Sequence, residues 1–62
     1  MSWVALGFKS VSDEEPSVRV SKDSRKSAEF VAQQLNNRYE FVEVLSPEGG
    51  SVFSAFWGGA KK

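Results

Sequence analysis

The segment Tyr39–Leu45, which reads Tyr-Glu-Phe-Val-Glu-Val-Leu, constrains the fold more than any other part of the chain. It is the longest run of strand-forming residues, since Tyr, Phe and Val favour the pleated, half-buried surface of a sheet. A helical pattern precedes it and a turn composition follows it. We predict a central strand over 39–45, with Val42 and Val44 toward the core and Glu40 near the end of that face. The opposite face of this strand would carry Tyr39, Phe41 and Glu43.

The chain is short and lacks two residue types that carry much protein chemistry. Its 62 residues suffice for a single domain, 1–62. A domain of that size buries only about 60% of its unfolded surface, so its stability is marginal. The absence of cysteine and histidine excludes disulfides, four-thiolate zinc sites and the usual near-neutral proton shuttle. We therefore expect no metal, no cofactor and no enzymatic activity.

The charge balance and the apolar pattern narrow the function classes further. Eight basic and eight acidic residues cancel, whereas nucleic-acid binders usually carry a net positive field. No apolar run approaches the ~20 residues of a membrane span, and no basic region precedes the apolar start of the chain. These features predict a cytoplasmic protein, or one that acts inside a cell it has entered, with no membrane partner.

The first third of the chain reads as two strands joined by an acidic loop. Alternation over Trp3–Val11 predicts a strand in which one set of side chains faces the core, namely Val4, Leu6 and Phe8. Its other face would carry Trp3, Ala5, Gly7 and Lys9. Gly7 weakens this strand and indicates a bulge or a close approach by another chain. After the loop 12–16, a second strand over 17–21 would place Val18 and Val20 on one face and Arg19 on the other.

Residues 22–37 form the predicted helix. Asp23 or Ser24 can cap its first turn, and Asn36-Asn37 can end it in the left-handed conformation. A narrow apolar stripe at helical spacing would face the sheet, formed by Ala28, Val31, Ala32 and Leu35. Phe30 lies nearly opposite this stripe, so it is either an ordinary exposed ring or one that packs at an edge of a tilted helix.

The last strand and the topology complete the fold prediction. Ser46-Pro47-Glu48-Gly49-Gly50 is a turn by composition, and a strand follows over 51–57. Its inward set is either Phe53, Ala55 and Trp57 or Val52, Ser54 and Phe56. Residues 57–62 would be a flexible C-terminal tail. The fold class is α+β, in the order β-β-α-β-β: one four-stranded, largely antiparallel sheet with a single helix on one face. A right-handed crossover favours the strand order 2-1-3-4 over the consecutive order.

The candidate site is the sheet face away from the helix. One helix covers one face, so aromatic residues on the other would make an unusually large apolar patch. Trp, Tyr, Phe and Arg are also enriched at the centres of protein interfaces. The predicted partner-binding residues are Trp3, Arg19, Tyr39, Phe41 and, from the last strand, Phe56 or the pair Phe53 and Trp57. The chain would act as a non-catalytic binding module that docks this surface, or an edge strand, onto a protein partner or a second copy of itself. The alternative is that strand twist, the acidic loop and the tail fold the rings into a second small core.

Basic residues around the helix leave a second function class open. Together with the sheet aromatics they would suit a single-stranded nucleic acid, with rings stacking on bases and cations on phosphates. The basic residues concerned are Arg19, Lys22, Arg25, Lys26 and Arg38. The Gly-Phe-rich strand signature of RNA-recognition modules is missing, and a solvated helix face explains the same charges. The acidic run 13–15 lacks calcium-loop spacing and is expected to be a solubilising loop.

In size, in element order and in its lack of cysteine and histidine, the chain resembles some phage-encoded proteins that bind and inhibit host enzymes. The resemblance implies a non-catalytic, protein-binding role as an inhibitor. It covers the whole chain but rests on no motif, so it assigns no functional residue.

Overall fold

The computed structural model describes residues 2–10 and 12–56. These residues form four strands and one helix in the predicted order. The predicted tail, 57–62, and the placement of Trp57 in the last strand lie outside the described residues. The elements are β1 (Trp3–Phe8), β2 (Val18–Lys22), α1 (Arg25–Leu35), β3 (Phe41–Leu45) and β4 (Ser51–Phe56).

The sheet has the strand order β2-β1-β3-β4, and every neighbouring pair is antiparallel. Both features confirm the prediction, and the consecutive order is wrong. The connection from β2 to β3 carries α1 across one face of the sheet, so that β1 lies at the centre between β2 and β3. β2 and β4 are the two edge strands.

β1 ends at Phe8 rather than at residue 11, because local hydrogen bonds turn the chain away from the sheet there. The Asp13 backbone amide donates to the Ser10 carbonyl at 3.0 Å, and the Asp13 carboxylate accepts from the Ser10 amide at 3.3 Å. Polar side chains that bond nearby backbone groups favour turns over strands. The Ser17 amide then returns to β1 by donating to the Gly7 carbonyl at 2.7 Å.

The helix begins after Ser24, whose hydroxyl accepts from the Ser27 backbone amide at 3.2 Å. This confirms one of the two predicted caps and satisfies a free amide of the first turn. The predicted left-handed ending is wrong, because Asn36 is right-handed with φ of −63°. The helix ends instead where the amides of Arg38 and Tyr39 both donate to the Leu35 carbonyl, at 2.8 and 2.9 Å.

The core lies between α1 and one face of the sheet. Ala28 and Ala32 of the helix and Ala5, Val42 and Val44 of the sheet are fully buried at 0% exposure. Val31 and Leu35 pack around this cluster, which confirms the predicted apolar stripe. Because the helix presents alanines, its backbone can approach the sheet closely.

The core face predicted for β1 is wrong. Ala5 faces the helix, while Leu6 lies on the other face opposite Arg19 and Glu43. By the same alternation Val4 and Phe8 also point away from the helix. β1 is apolar on both faces, so alternation alone does not distinguish them.

The two small residues of β1, Ala5 and Gly7, lie on the covered face, where other side chains approach the strand closely, while Trp3 lies at the start of the strand on the same face and is half-buried. At Gly7 an added Cβ would lie 2.8 Å from Val18 Cγ1 and 3.0 Å from Tyr39 Cδ2. The predicted close approach at this glycine is therefore made by the chain's own side chains.

Candidate binding surface on the open sheet face

Residues that pair across neighbouring strands share a face of the sheet, so the strand registers divide the side chains into two sets. The set containing Ala5, Val42 and Val44 lies under α1. We call the opposite side the open face. It carries Val4, Leu6, Phe8, Arg19, Ser21, Phe41, Glu43, Leu45, Ser54 and Phe56.

Three phenylalanines cross the open face as a row, which we call the ring row: Phe8, Phe41 and Phe56. The registers place Phe8 opposite Phe41 and Phe41 opposite Phe56. Ring centroids are 5.5 Å apart in the first pair and 4.9 Å in the second, with tilted planes that suit aromatic contact. The ring row therefore runs from β1 across β3 to the edge strand β4.

Exposure rises along the ring row toward the edge of the sheet. Phe8 is 9% exposed, Phe41 is half-buried and Phe56 is 63% exposed. Phe8 is thus buried and Phe56 is not. The alternative of a second small core also involved the tail, which lies outside the described residues. The surface offered to solvent is concentrated where β3 and β4 meet.

Two of the predicted partner-binding residues lie on the other side of the sheet. Trp3 shares its face with Ala5 and packs against the core cluster. Tyr39 precedes β3 and also packs against that cluster, with its ring beside Gly7. Their assignment to the open face is wrong: Trp3 follows the inverted alternation of β1, and Tyr39 lies in the bend between α1 and β3.

The remaining predicted residues, Arg19, Phe41 and Phe56, do lie on the open face. A second row of side chains crosses the open face next to the ring row. In it, Leu6 on β1 lies between Arg19 on β2 and Glu43 on β3. Leu6 is only 5% exposed. Val4, Leu6 and Phe8 are the members of β1 that sequence reasoning assigned to the core face instead, and the small residues that alternate with them, Ala5 and Gly7, were the available signal.

The structure settles the two alternatives for the last strand. Phe53 and Ala55 pair with Val44 and Val42 and so face the helix side, while Phe56 faces outward. A bulge interrupts this ladder, because Val44 pairs with Phe53 whereas Leu45 pairs with Ser51. Val52 is the extra residue, and the Arg25 guanidinium donates to its carbonyl at 3.4 Å.

The predicted basic residues do not share one surface. Arg25 pairs with Glu29 on the helix, with Nε and Oε2 2.7 Å apart. Lys22 and Lys26 line a groove of about 420 Å³ beside Phe30 and Val31. Phe30 is 62% exposed, so it does not pack at an edge of the helix. Among the predicted cations, Arg19 is the one placed on the open face by the strand registers.

Within the described residues, no three acidic side chains come together to hold a metal ion, and no helix is both long and apolar enough to cross a bilayer. Comparison of the chain with protein-family models, with curated proteins and with solved structures finds no match.

Proposed function

We propose that this chain is a non-catalytic protein-binding module that docks the outer end of its ring row, Phe41 and Phe56, onto a protein partner. One observation carries the proposal. The Phe56 ring is 63% exposed, and its centroid lies 4.9 Å from that of Phe41. A ring fixed by its neighbour loses little freedom on binding, so its burial contributes more to affinity. Aromatic side chains of this kind supply most of the energy at interface centres.

Charges on the open face favour a protein over a single-stranded nucleic acid. Arg19 and Glu43 flank Leu6 on opposite sides, so the face carries one cation and one carboxylate. A carboxylate there repels a phosphate backbone, whereas mixed charges are typical of the polar rim of a protein interface. The resemblance to phage-encoded inhibitors makes an enzyme the first class of partner to test, with its activity as a second readout.

The test uses two rings of equal exposure on different surfaces. Phe56→Ala removes the outer ring of the open face, and Phe30→Ala removes a ring of 62% exposure on the helix. A partner is first captured with the unaltered chain and identified, and its affinity for each variant is then titrated. Phe56→Ala should weaken binding at least about tenfold, the size expected of an interface anchor, and Phe30→Ala should leave it unchanged.

Two results would overturn the proposal. One is a partner that binds Phe56→Ala as tightly as the unaltered chain. The other is salt-dependent binding of a single-stranded oligonucleotide that is lost in Arg19→Ala, which would support the nucleic-acid alternative.

A further inference from the structure

The two edges of the sheet differ in charge. β2 carries Arg19 and Lys22, and charged side chains on an edge strand discourage pairing with other strands. β4, with the sequence Ser-Val-Phe-Ser-Ala-Phe, has no charged residue and no proline. It thus lacks the charges and the proline that protect edge strands, and its bulge at Val52 lies near the start of the strand, before 53–56.

Among the described residues, the outer backbone edge of β4 is also free to accept a neighbour. Alternate residues of an edge strand direct their amide and carbonyl groups away from the sheet. The Arg25 guanidinium bonds the Val52 carbonyl at the bulge. Past that bulge, no side chain of the described residues hydrogen-bonds the backbone of 53–56.

We infer that β4 pairs with β4 of a second copy of this chain, antiparallel about a two-fold axis at Ser54, to form a continuous eight-stranded sheet. The inference concerns the edge of the sheet, whereas the proposed function rests on the open face. The formal net charge of the chain is zero, so two copies do not repel each other as like-charged bodies.

Side-chain sizes select this register. A continuous sheet requires paired residues to point to the same side, which a two-fold axis at any single residue satisfies. Between the bulge at Val52 and the end of the strand at Phe56, the axis can lie at Phe53, Ser54 or Ala55. An axis at Phe53 would place two large rings against each other beside the helices, and an axis at Ala55 would leave a gap between two alanines. The axis at Ser54 sets Phe53 against Ala55 of the second copy and lets the two Ser54 hydroxyls meet on the open face.

A cysteine at the axis reports this pairing directly. Directly opposed residues in an antiparallel pair have Cα atoms about 4.5 or 5.5 Å apart, and both distances suit a disulfide. The chain has no cysteine of its own, so Ser54→Cys introduces the sole thiol. Ser21→Cys is the matched control, because Ser21 is also an exposed serine on an edge strand and on the open face.

Under mild oxidation we expect Ser54→Cys to form a disulfide-linked dimer and Ser21→Cys to remain a monomer on a non-reducing gel. Equal crosslinking of both variants, or none in Ser54→Cys, overturns the inference.

Sedimentation of the cysteine-free chain should show a monomer–dimer equilibrium over 1 µM to 1 mM, about the range expected of a small interface. Ser54→Lys places two ammonium groups face to face and should weaken the dimer at least about tenfold, whereas Ser21→Lys should not. A monomer throughout, or a dimer equally stable in Ser54→Lys, contradicts the inference. A monomeric chain whose partner binding still depends on Phe56 would overturn self-pairing and leave the proposed function standing.

Discussion

The two faces of this sheet are built from the same strands but differ in how far they are covered. On the face under α1, Ala5, Val42 and Val44 are fully buried, and the larger side chains of Trp3, Tyr39 and Phe53 pack around them. On the open face the rings become more exposed toward β4. A short helix with two buried alanines closes one face tightly. The fully buried side chains are therefore concentrated on that face, and the open face is the one that we propose for partner binding.

The largest expected effect comes from comparing one residue of each face. Val44→Ala removes two fully buried methyl groups and should lower the free energy of unfolding by about 2 kcal/mol. Phe56→Ala removes a larger side chain but one mostly in solvent, so it should cost less than about 1 kcal/mol. Urea denaturation of both variants measures the difference. An equal loss would mean that the open face is as well packed as the covered one.

A smaller effect is expected at Gly7, the point of closest approach on the covered face. In Gly7→Ala the new Cβ would meet Val18 Cγ1 at 2.8 Å, and overpacking of this kind costs about 1 to 2 kcal/mol. Gly50→Ala is the control, because the nearest atom there, Ser46 Oγ, lies 3.8 Å away. Its stability should change by less than about 0.5 kcal/mol.

The double variant Gly7→Ala/Val18→Ala sharpens this result. Val18→Ala removes the closest clashing atom, so the two substitutions together should cost less than the sum of their separate losses in thermal or urea unfolding. Strict additivity would show that the stability loss in Gly7→Ala does not come from the contact with Val18.

Much of this architecture could be predicted from periodicity, because the patterns in α1 and β3 each had one apolar side. Val42, Val44 and the alanine stripe were assigned correctly for this reason. β1 was assigned to the wrong face because Trp3 to Phe8 is apolar on both sides. The orientation of β1 depends on which of its residues lie beneath α1, a tertiary property that alternation does not contain.

The candidate site was predicted only in part, because alternation identified the faces of some strands but not those of β1. Phe41 and Arg19 follow from clear alternation, and Phe56 was one of two stated options. Trp3 was assigned to the wrong face because the prediction exchanged the two faces of β1. Tyr39 was misplaced because β3 begins at Phe41 rather than at Tyr39. The β4 bulge at Val52, which shifts the register there, carries no glycine or proline to mark it in the sequence.

Solvent accessibility of individual side chains in the isolated full-length chain tests the difference between the faces most directly. Relaxation by a soluble, uncharged gadolinium chelate can be read by NMR for the rings of Phe8, Phe30 and Phe56 and the methyl groups of Val44. We expect Phe56 to relax as strongly as Phe30 on the helix, and Phe8 and Val44 to be protected. Protection of Phe56 to the level of Val44 would show that the open face is already covered, and would contradict its role as a docking surface.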